Sequence, residues 1–402
     1  MNNENKLSFF NLSFLWFGAA ISIAEIITGG FISPLGMKIG IIAILLGHFI
    51  GTYILSLGGV IGFREKIPAI TSTRMSFGLY GTYFFSVLNI LQLLGWTAIM
   101  IRAASSSLNA ISTSLWKINN TTLWCVVVGI LICIWLSYGF KGFKRINQLA
   151  VVLLFFLTLI LAYIIFKNPD ILSLRGEGTM SFGSALELSV VMPLSWLPLI
   201  SDYTRFSKGE KEGFYGSFLG YFIGSSWMFI IGLGAALISQ NTDPTYMMLA
   251  YNLGIFAFFI VLLSTITTTF LDAYSAAVSF LNIRPKGKEK NIAIIITIIG
   301  TIISIIFPLE NYEYFLYAIG SLFSPLFAIV ILDYFVLKTT EIKKDLIVNI
   351  DAVIVWIMGI IIYYMFIKLD LIFGATFPSM IITGIIYYLV RRYKKSWIIM
   401  KN

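Results

Sequence analysis

Residues 18–34 read GAAISIAEIITGGFISP, an apolar stretch with one carboxylate, Glu25, in its middle and Gly29, Gly30 and Pro34 towards its far end. A charge in hydrocarbon is costly, and helix breakers there strand backbone donors and acceptors, so both are tolerated only where protein or a water-filled cavity surrounds them. Gly18, Ala19, Ala20, Ser22 and Ala24 are small enough to let a helix open, and the carbonyls freed by an opening are hard oxygen ligands suited to a cation. The stretch therefore predicts an interrupted membrane helix beside a cavity, with the two glycines and the proline reinforcing the irregularity.

The rest of the chain has the composition of a membrane protein. Of 402 residues, 58% are hydrophobic and 12% charged, with a mean hydropathy of +0.90, too little polar surface for a water-soluble core of this size. A span needs about 20 mostly apolar residues. Twelve runs qualify, at 14–34, 39–62, 80–108, 121–138, 148–166, 182–201, 214–238, 250–281, 292–307, 311–335, 351–367 and 371–390. An even number of spans puts both termini on one side. With that side cytoplasmic, the inner segments hold 22 of the 28 Lys and Arg residues, the outer loops hold Lys38, Lys117, Lys167, Arg175 and Lys368, and Arg102 lies within a span. The positive-inside rule thus predicts a multi-pass protein of the cell's inner (plasma) membrane with both termini in the cytoplasm. The net charge of +9 reports topology, since the basic residues are spread over every inner loop and form no stripe for nucleic acid. The N-terminal MNNENKLSFFNLSF lacks a cleavage pattern, so no signal peptide is expected to be removed. Cys125 and Cys133 share one apolar run and read as packing residues, and His48 has no Cys, Asp or second His at ligand spacing.

A second interruption appears in the sixth run, ALELSVVMPLSWLPLISDYTRF, where Pro193 and Pro198 each remove a backbone donor. Breaks in spans one and six, five spans apart, are the pattern of inverted-repeat secondary transporters that bind substrate and ion at mid-depth. Pro325 in the tenth run is a candidate gate or hinge.

Polar residues inside the spans supply the candidate site. Glu25 adjoins the first break, where it can accept hydrogen bonds from a substrate amino group. Asp202 and Asp333 read as helix caps or partners of interfacial bases, and Glu187 and Asp272 complete the buried acids. In the third span Asn89, Gln92 and Trp96 fall at i, i+3 and i+7, which places two carboxamides and an indole along one helix face. A carboxamide matches the donor and acceptor edge of an amide-like heterocycle. Trp96 and Trp196 offer two aromatic walls for a flat ring. In the eighth span Ser264, Thr267 and Thr268 lie within one helical turn, as cation ligands or as packing residues, and Asp272 follows Thr268 on the same face, able to tune that site or accept a proton.

The segments ISIAEIITGGFISP, QLLGW, PLSWLPLISDYTRF and TITTTFLDAYSAAVSFLNI, in this order across nearly the whole chain, resemble the nucleobase:cation symporter-1 family, in particular its cytosine-permease and hydroxymethylpyrimidine-permease-like branch. The resemblance implies an all-α polytopic fold with a five-plus-five inverted-repeat (LeuT-like) core and two additional C-terminal helices. It divides the chain into residues 1–335, with repeats of about 12–168 and 180–335, and residues 336–402, which carry two further spans and a basic tail. It implies a sodium site made of main-chain oxygens near Gly18 and Ser22, the main chain of Ser264 and the hydroxyls of Thr267 and Thr268, and a substrate site in which Trp96 stacks, a third-span amide hydrogen-bonds and the sixth span adds an aromatic residue. Glu25 has no obvious acidic counterpart in cytosine transporters. A carboxylate suits the ring nitrogen and exocyclic amine of an aminopyrimidine, which favours hydroxymethylpyrimidine, a thiamin precursor, over cytosine.

The expected activity is import of a planar nitrogen heterocycle by a monomeric symporter, with sodium as the coupling ion or a proton through Glu25 or Asp272 in its place. A channel or uniporter needs a continuous polar path, which the sparse polar positions do not supply. An enzyme needs a nucleophile or metal set that one histidine and scattered acids do not make.

Overall fold

The computed structural model describes residues 6–243, 245–246, 249, 254–306, 312–393 and 398–400. The start of the eighth run (250–253), residue 307 of the ninth, residue 311 of the tenth, and Lys394, Lys395 and Lys401 of the basic tail lie outside the described residues, as do the side chains of residues 139–150.

Each of the twelve runs coincides with a helix or a broken pair of helices. Span one is α1 (Phe9–Ala20) and α2 (Ile23–Phe31); spans two to five are α3 (Gly36–Glu65), α4 (Ala69–Trp116), α5 (Thr121–Ser137) and α6 (Gly139–Phe166). Span six is α7 (Phe182–Leu194) and the short α8 (Ile200–Thr204). Spans seven to twelve are α9 (Glu210–Ser239), α10 (Gly254–Ile283), α11 (Glu289–Ile306), α12 (Tyr312–Ile331), α13 (Ile350–Leu369) and α14 (Thr376–Tyr393). Seven of these segments are long and apolar enough to cross a bilayer alone; α1 and α2 qualify together despite a 59° bend, while α5, Val151–Phe166 and α7 are apolar but shorter. Large apolar side chains such as Ile39, Ile42, Leu46 and Phe49 of α3 are exposed on the outer surface, the lipid-facing stripe expected of such helices.

Span one opens because Ser22 works as a helix N-cap in the middle of it: its side chain accepts from the Glu25 N–H at 3.3 Å, and its own N–H turns to the Ala20 carbonyl at 2.9 Å. Gly29 and Gly30 do not add to the break. They continue α2, and Gly29 is small because a side chain there would strike the Phe229 backbone of α9. Pro34 sits beyond, in the 3-10 turn Ser33–Leu35. In span six α7 stops at Leu194, one residue after Pro193, and Ser195 to Leu199 run through tight turns before α8 resumes. Pro193 and Pro198 bring no donor to this stretch. Pro325 lies inside α12, packed beside Gly359 of α13, and the chain continues into a π-helical stretch, Leu332–Val336. Gly78, at φ +80, kinks α4 where its backbone meets Ile347 of strand β1 (Leu346–Asn349), which pairs antiparallel with β2 (Ile398–Met400).

Candidate functional site

The two breaks meet at one small enclosed cavity of about 10 Å³, room for about one water. Trp96 of α4 and Trp196 of the span-six break both line it. Trp96 is held edge-on by Tyr312 and Phe315, with ring centroids 5.9 and 5.4 Å away, and Trp196 by Trp16 and Tyr221 at 5.8 and 6.3 Å. Ser22, Ala24 and Glu25 come from span one, Thr268 and Asp272 from α10, and Met100 and Met192 fill the remainder. Methionine is flexible enough to re-pack around an incoming ring. On one side of Ala24 a cavity of about 360 Å³ opens, lined by Ile27, Phe31, Ile99, Tyr312 and Glu313 among others. On the other side the N-terminal segment closes the molecule: Leu7 donates to the Phe206 carbonyl and accepts from the Lys208 N–H, both at 2.8 Å. Trp16 packs edge-on to Tyr203 above it.

Thr268 reaches across the seam. Its hydroxyl lies 3.3 Å from the Ala19 carbonyl at the end of α1. Thr267 donates to the carbonyls of Leu263 and Ser264, and Ser264 to that of Val261. A hydroxyl that donates to a carbonyl keeps lone pairs free for a further partner. Among the described residues no cluster of three His, Cys, Asp or Glu suits a metal ion.

A model of the family described as permease for cytosine/purines, uracil, thiamine, allantoin matches residues 1–390. The chain belongs to this permease family. The permease is 25% identical to the cytosine permease of Escherichia coli (strain K12) over 328 residues, 80% of this chain and 77% of that one. It is 23% identical to a purine-cytosine permease of Emericella nidulans over 376 residues, 83% and 71% of the two chains. Its fold matches that of MHP1, a nucleobase-cation-symport-1 family transporter, in a closed conformation with bromovinylhydantoin bound, at a TM-score of 0.81, 20% identity and coverage of 98% and 95%. A Na+-coupled sialic acid symporter in a substrate-bound outward-open state gives 0.69 at 15% identity, over 98% and 92%. The permease is therefore a multi-span membrane transporter rather than an enzyme, with the fold that the sequence resemblance implied.

Within the permease the residues singled out in the sequence fall into three groups. Glu25, Trp96, Trp196, Ser22 and Thr268 meet at the cavity. Gln92 stands behind it: its amide donates to the Ser195 carbonyl at 2.7 Å, bracing the span-six break, while its Oε1 is buried with no partner among the described residues. Asn89 is elsewhere, donating to Ser279 of α10 at 2.9 Å. Gly18 lies one residue before the carbonyl that Thr268 meets. The remaining acids are helix fasteners. Asp202 accepts from the Ala69 N–H at the start of α4, Asp333 from Tyr387 with Arg391 3.9 Å away, and Glu187 from Tyr363, Thr376 and the Ala375 N–H.

Sequence reasoning did not find the partners of Glu25. Tyr221 donates to its Oε1 at 2.7 Å, and the Ser225 hydroxyl lies 2.6 Å from its Oε2. His48 Nε2 lies 2.6 Å from the same hydroxyl, and His48 Nδ1 faces the Ile44 carbonyl at 2.9 Å. These residues come from α3 and α9, and no spacing in the sequence links them to span one. Met100 and Met192 carried no signal either.

Proposed function

We propose that this permease imports a planar nitrogen heterocycle by cation symport with alternating access, with hydroxymethylpyrimidine as its preferred substrate. The observation that carries the reading is the enclosed cavity between the two interrupted spans, with a tryptophan from each side and Thr268 bridging to the first break. Indole walls favour a flat ring by roughly 0.5 to 1.5 kcal/mol per aromatic pair beyond burial. Asp272 and Glu25, both on the cavity wall, present carboxyl oxygens that can accept from the exocyclic amine of an aminopyrimidine, with Gln92 acting from the third span and Asn89 as a more distant candidate on that face. Cytosine is the second reading, favoured by the cytosine and purine-cytosine permeases among the relatives.

Sodium is the proposed coupling ion, bound by main-chain oxygens around Gly18 and Ser22, the Ser264 carbonyl and the hydroxyls of Thr267 and Thr268. It closes the seam between α1 and α10 and so lowers the cost of ordering the cavity around substrate. Both termini are cytoplasmic in this reading, so the 360 Å³ cavity is the external vestibule. Residues 12–168 and 180–335 form the two inverted repeats, residues 336–402 an addition to them, and one chain is the transport unit.

The test is a thermal-shift and binding panel on purified protein with hydroxymethylpyrimidine, cytosine, uracil, purines and hydantoins, in sodium and in choline. Sodium-enhanced stabilisation by hydroxymethylpyrimidine above cytosine is expected. The same order without sodium enhancement would remove the sodium assignment, and stabilisation by cytosine first would give the second reading its place.

A further inference from the structure

The hydrogen bonds around Glu25 hold one hydrogen more than the ordinary charge states of their members supply. A carbonyl only accepts, so His48 Nδ1, 2.9 Å from the Ile44 carbonyl, carries a hydrogen. The contact of His48 Nε2 with Ser225 Oγ and that of Ser225 Oγ with Glu25 Oε2 are both 2.6 Å, and each needs a hydrogen of its own. Ser225 owns one. A neutral imidazole has spent its only hydrogen at Nδ1, and a carboxylate has none, so one of the two short contacts would set lone pair against lone pair. Tyr221 does not help, because its hydroxyl hydrogen is used towards Oε1.

We propose that Glu25, Ser225 and His48 form a proton-binding site that retains one proton beside the substrate cavity. Two arrangements satisfy the count. In one, protonated Glu25 donates from Oε2 to Ser225, and Ser225 donates to Nε2 of a neutral His48. In the other, imidazolium donates to Ser225 and Ser225 to a carboxylate. They interconvert by moving one hydrogen across each short contact, with no heavy atom displaced and no net change in charge. The first avoids separating charge in a setting where neither ion is hydrated, and it is the resting form. In it every hydrogen has an acceptor: Tyr221 to Oε1, Oε2 to Ser225, Ser225 to Nε2, Nδ1 to Ile44.

The surroundings offer no substitute for that proton. The titratable groups facing Glu25 are Tyr221 of α9, His48 of α3 through Ser225, Tyr312 of α12, which bonds Thr28 one turn along α2, and Asp272 of α10 on the same cavity wall. None is a lysine or arginine, and the ion pairs among the described residues, Arg64 with Glu210 and Arg391 with Asp333, lie elsewhere. Ser22, whose hydroxyl accepts from the Glu25 N–H, is one of the proposed sodium ligands, so the count rests on the contacts among Glu25, Ser225 and His48 and on no balance of charge.

The chain contains a single histidine, which makes the site directly readable. In full-length protein labelled with nitrogen-15 histidine, the imidazole signals at neutral pH are expected to be those of a neutral ring protonated at Nδ1. The infrared spectrum should then show a protonated-carboxyl band that disappears in Glu25→Gln. Raising the pH on the wild-type protein should remove the band and shift the histidine signals at one common midpoint, and in Ser225→Ala the histidine signals should no longer follow the carboxyl. An imidazolium with no acid band also leaves one proton on the site and supports it. A neutral His48 beside an ionised Glu25 at neutral pH would overturn the proposal. The wild-type titration needs no variant and no substrate, and run in choline without sodium it fails or succeeds independently of which heterocycle or coupling ion the permease uses.

Discussion

At the residue scale the site depends on groups that hold the two breaks open. Gln92 ties the third span to the Ser195 carbonyl next to Trp196, so Gln92→Leu leaves that carbonyl unpaired and lets the indole drift. Losing one such bond costs about 1 kcal/mol, and equilibrium binding of labelled substrate in sodium is expected to weaken by roughly fivefold; unchanged affinity would detach Gln92 from the site. Thr268→Ala removes the hydroxyl that meets Ala19. Its substrate affinity in sodium should fall to the value measured in choline, and a retained sodium dependence would place the cation elsewhere. How far the sequence spoke at this scale depends on geometry. That Trp196, Glu25 and Thr268 share a cavity was foreshadowed because each adjoins a break or a hydroxyl-rich turn, and Trp96 because it lies on a helix face with Gln92. Asn89 was grouped with Trp96 by helix periodicity, yet seven residues along a helix are about 10 Å, enough to carry it past the cavity to Ser279. The partners of Glu25 were not legible, since Tyr221 and Ser225 lie about two hundred positions away and one serine among many has no local mark.

At the element scale, backbone contacts set which substitutions the fold tolerates. A methyl group on Gly232 of α9 would run into the Ile26 carbonyl of α2, and the backbone must move to admit it. Gly232→Ala is expected to cost about 3 kcal/mol or more. A methyl group on Gly384 of α14 meets its nearest neighbour, Leu332, at 3.6 Å, ordinary contact, and helix propensity favours Ala there by up to about 1 kcal/mol. Thermal unfolding in detergent should separate the pair, and equal midpoints would deny the close crossing of α2 and α9. Glu187 is the fastener between span six and the last two spans: it caps the N-terminus of α14 through the Ala375 and Thr376 N–H groups and accepts from Tyr363 of α13. Glu187→Ala strands several buried donors at about 1 to 3 kcal/mol each and should lower the unfolding midpoint more than Glu187→Gln, which keeps one acceptor oxygen. The helical runs could be read from apolar length, the first interruption from Glu25 and its small neighbours and the second from proline. The role of Gly29 and Gly30 could not, because a glycine that breaks a helix and one that admits a neighbouring helix are the same letter until the neighbour is known.

At the scale of the whole molecule the closures are unequal. The larger cavity is lined by Ala24 and Tyr312, the proposed external vestibule, while Trp16 packs on Tyr203 and Leu7 pairs with Phe206 and Lys208. A cysteine placed at Ser107, on the vestibule wall, should react with a membrane-impermeant thiol reagent added to intact cells, and one at Ser201, buried against Gly58, should not. Labelling of the Ser107 cysteine only after the cells are opened would invert the assigned topology. A charge distribution summed over many loops predicts an orientation, but the degree to which a chamber is closed is decided by tenths of an ångström between side chains and has no counterpart in composition.

The central claim is that a planar ring and a cation are carried together through the chamber between spans one and six. Uptake of labelled hydroxymethylpyrimidine into proteoliposomes containing only this permease, with an inward sodium gradient at equal pH on both sides, tests it most directly. Accumulation above the external concentration is expected, collapsing when sodium is equalised. Uptake that stops at equal concentrations whatever the sodium gradient would contradict it.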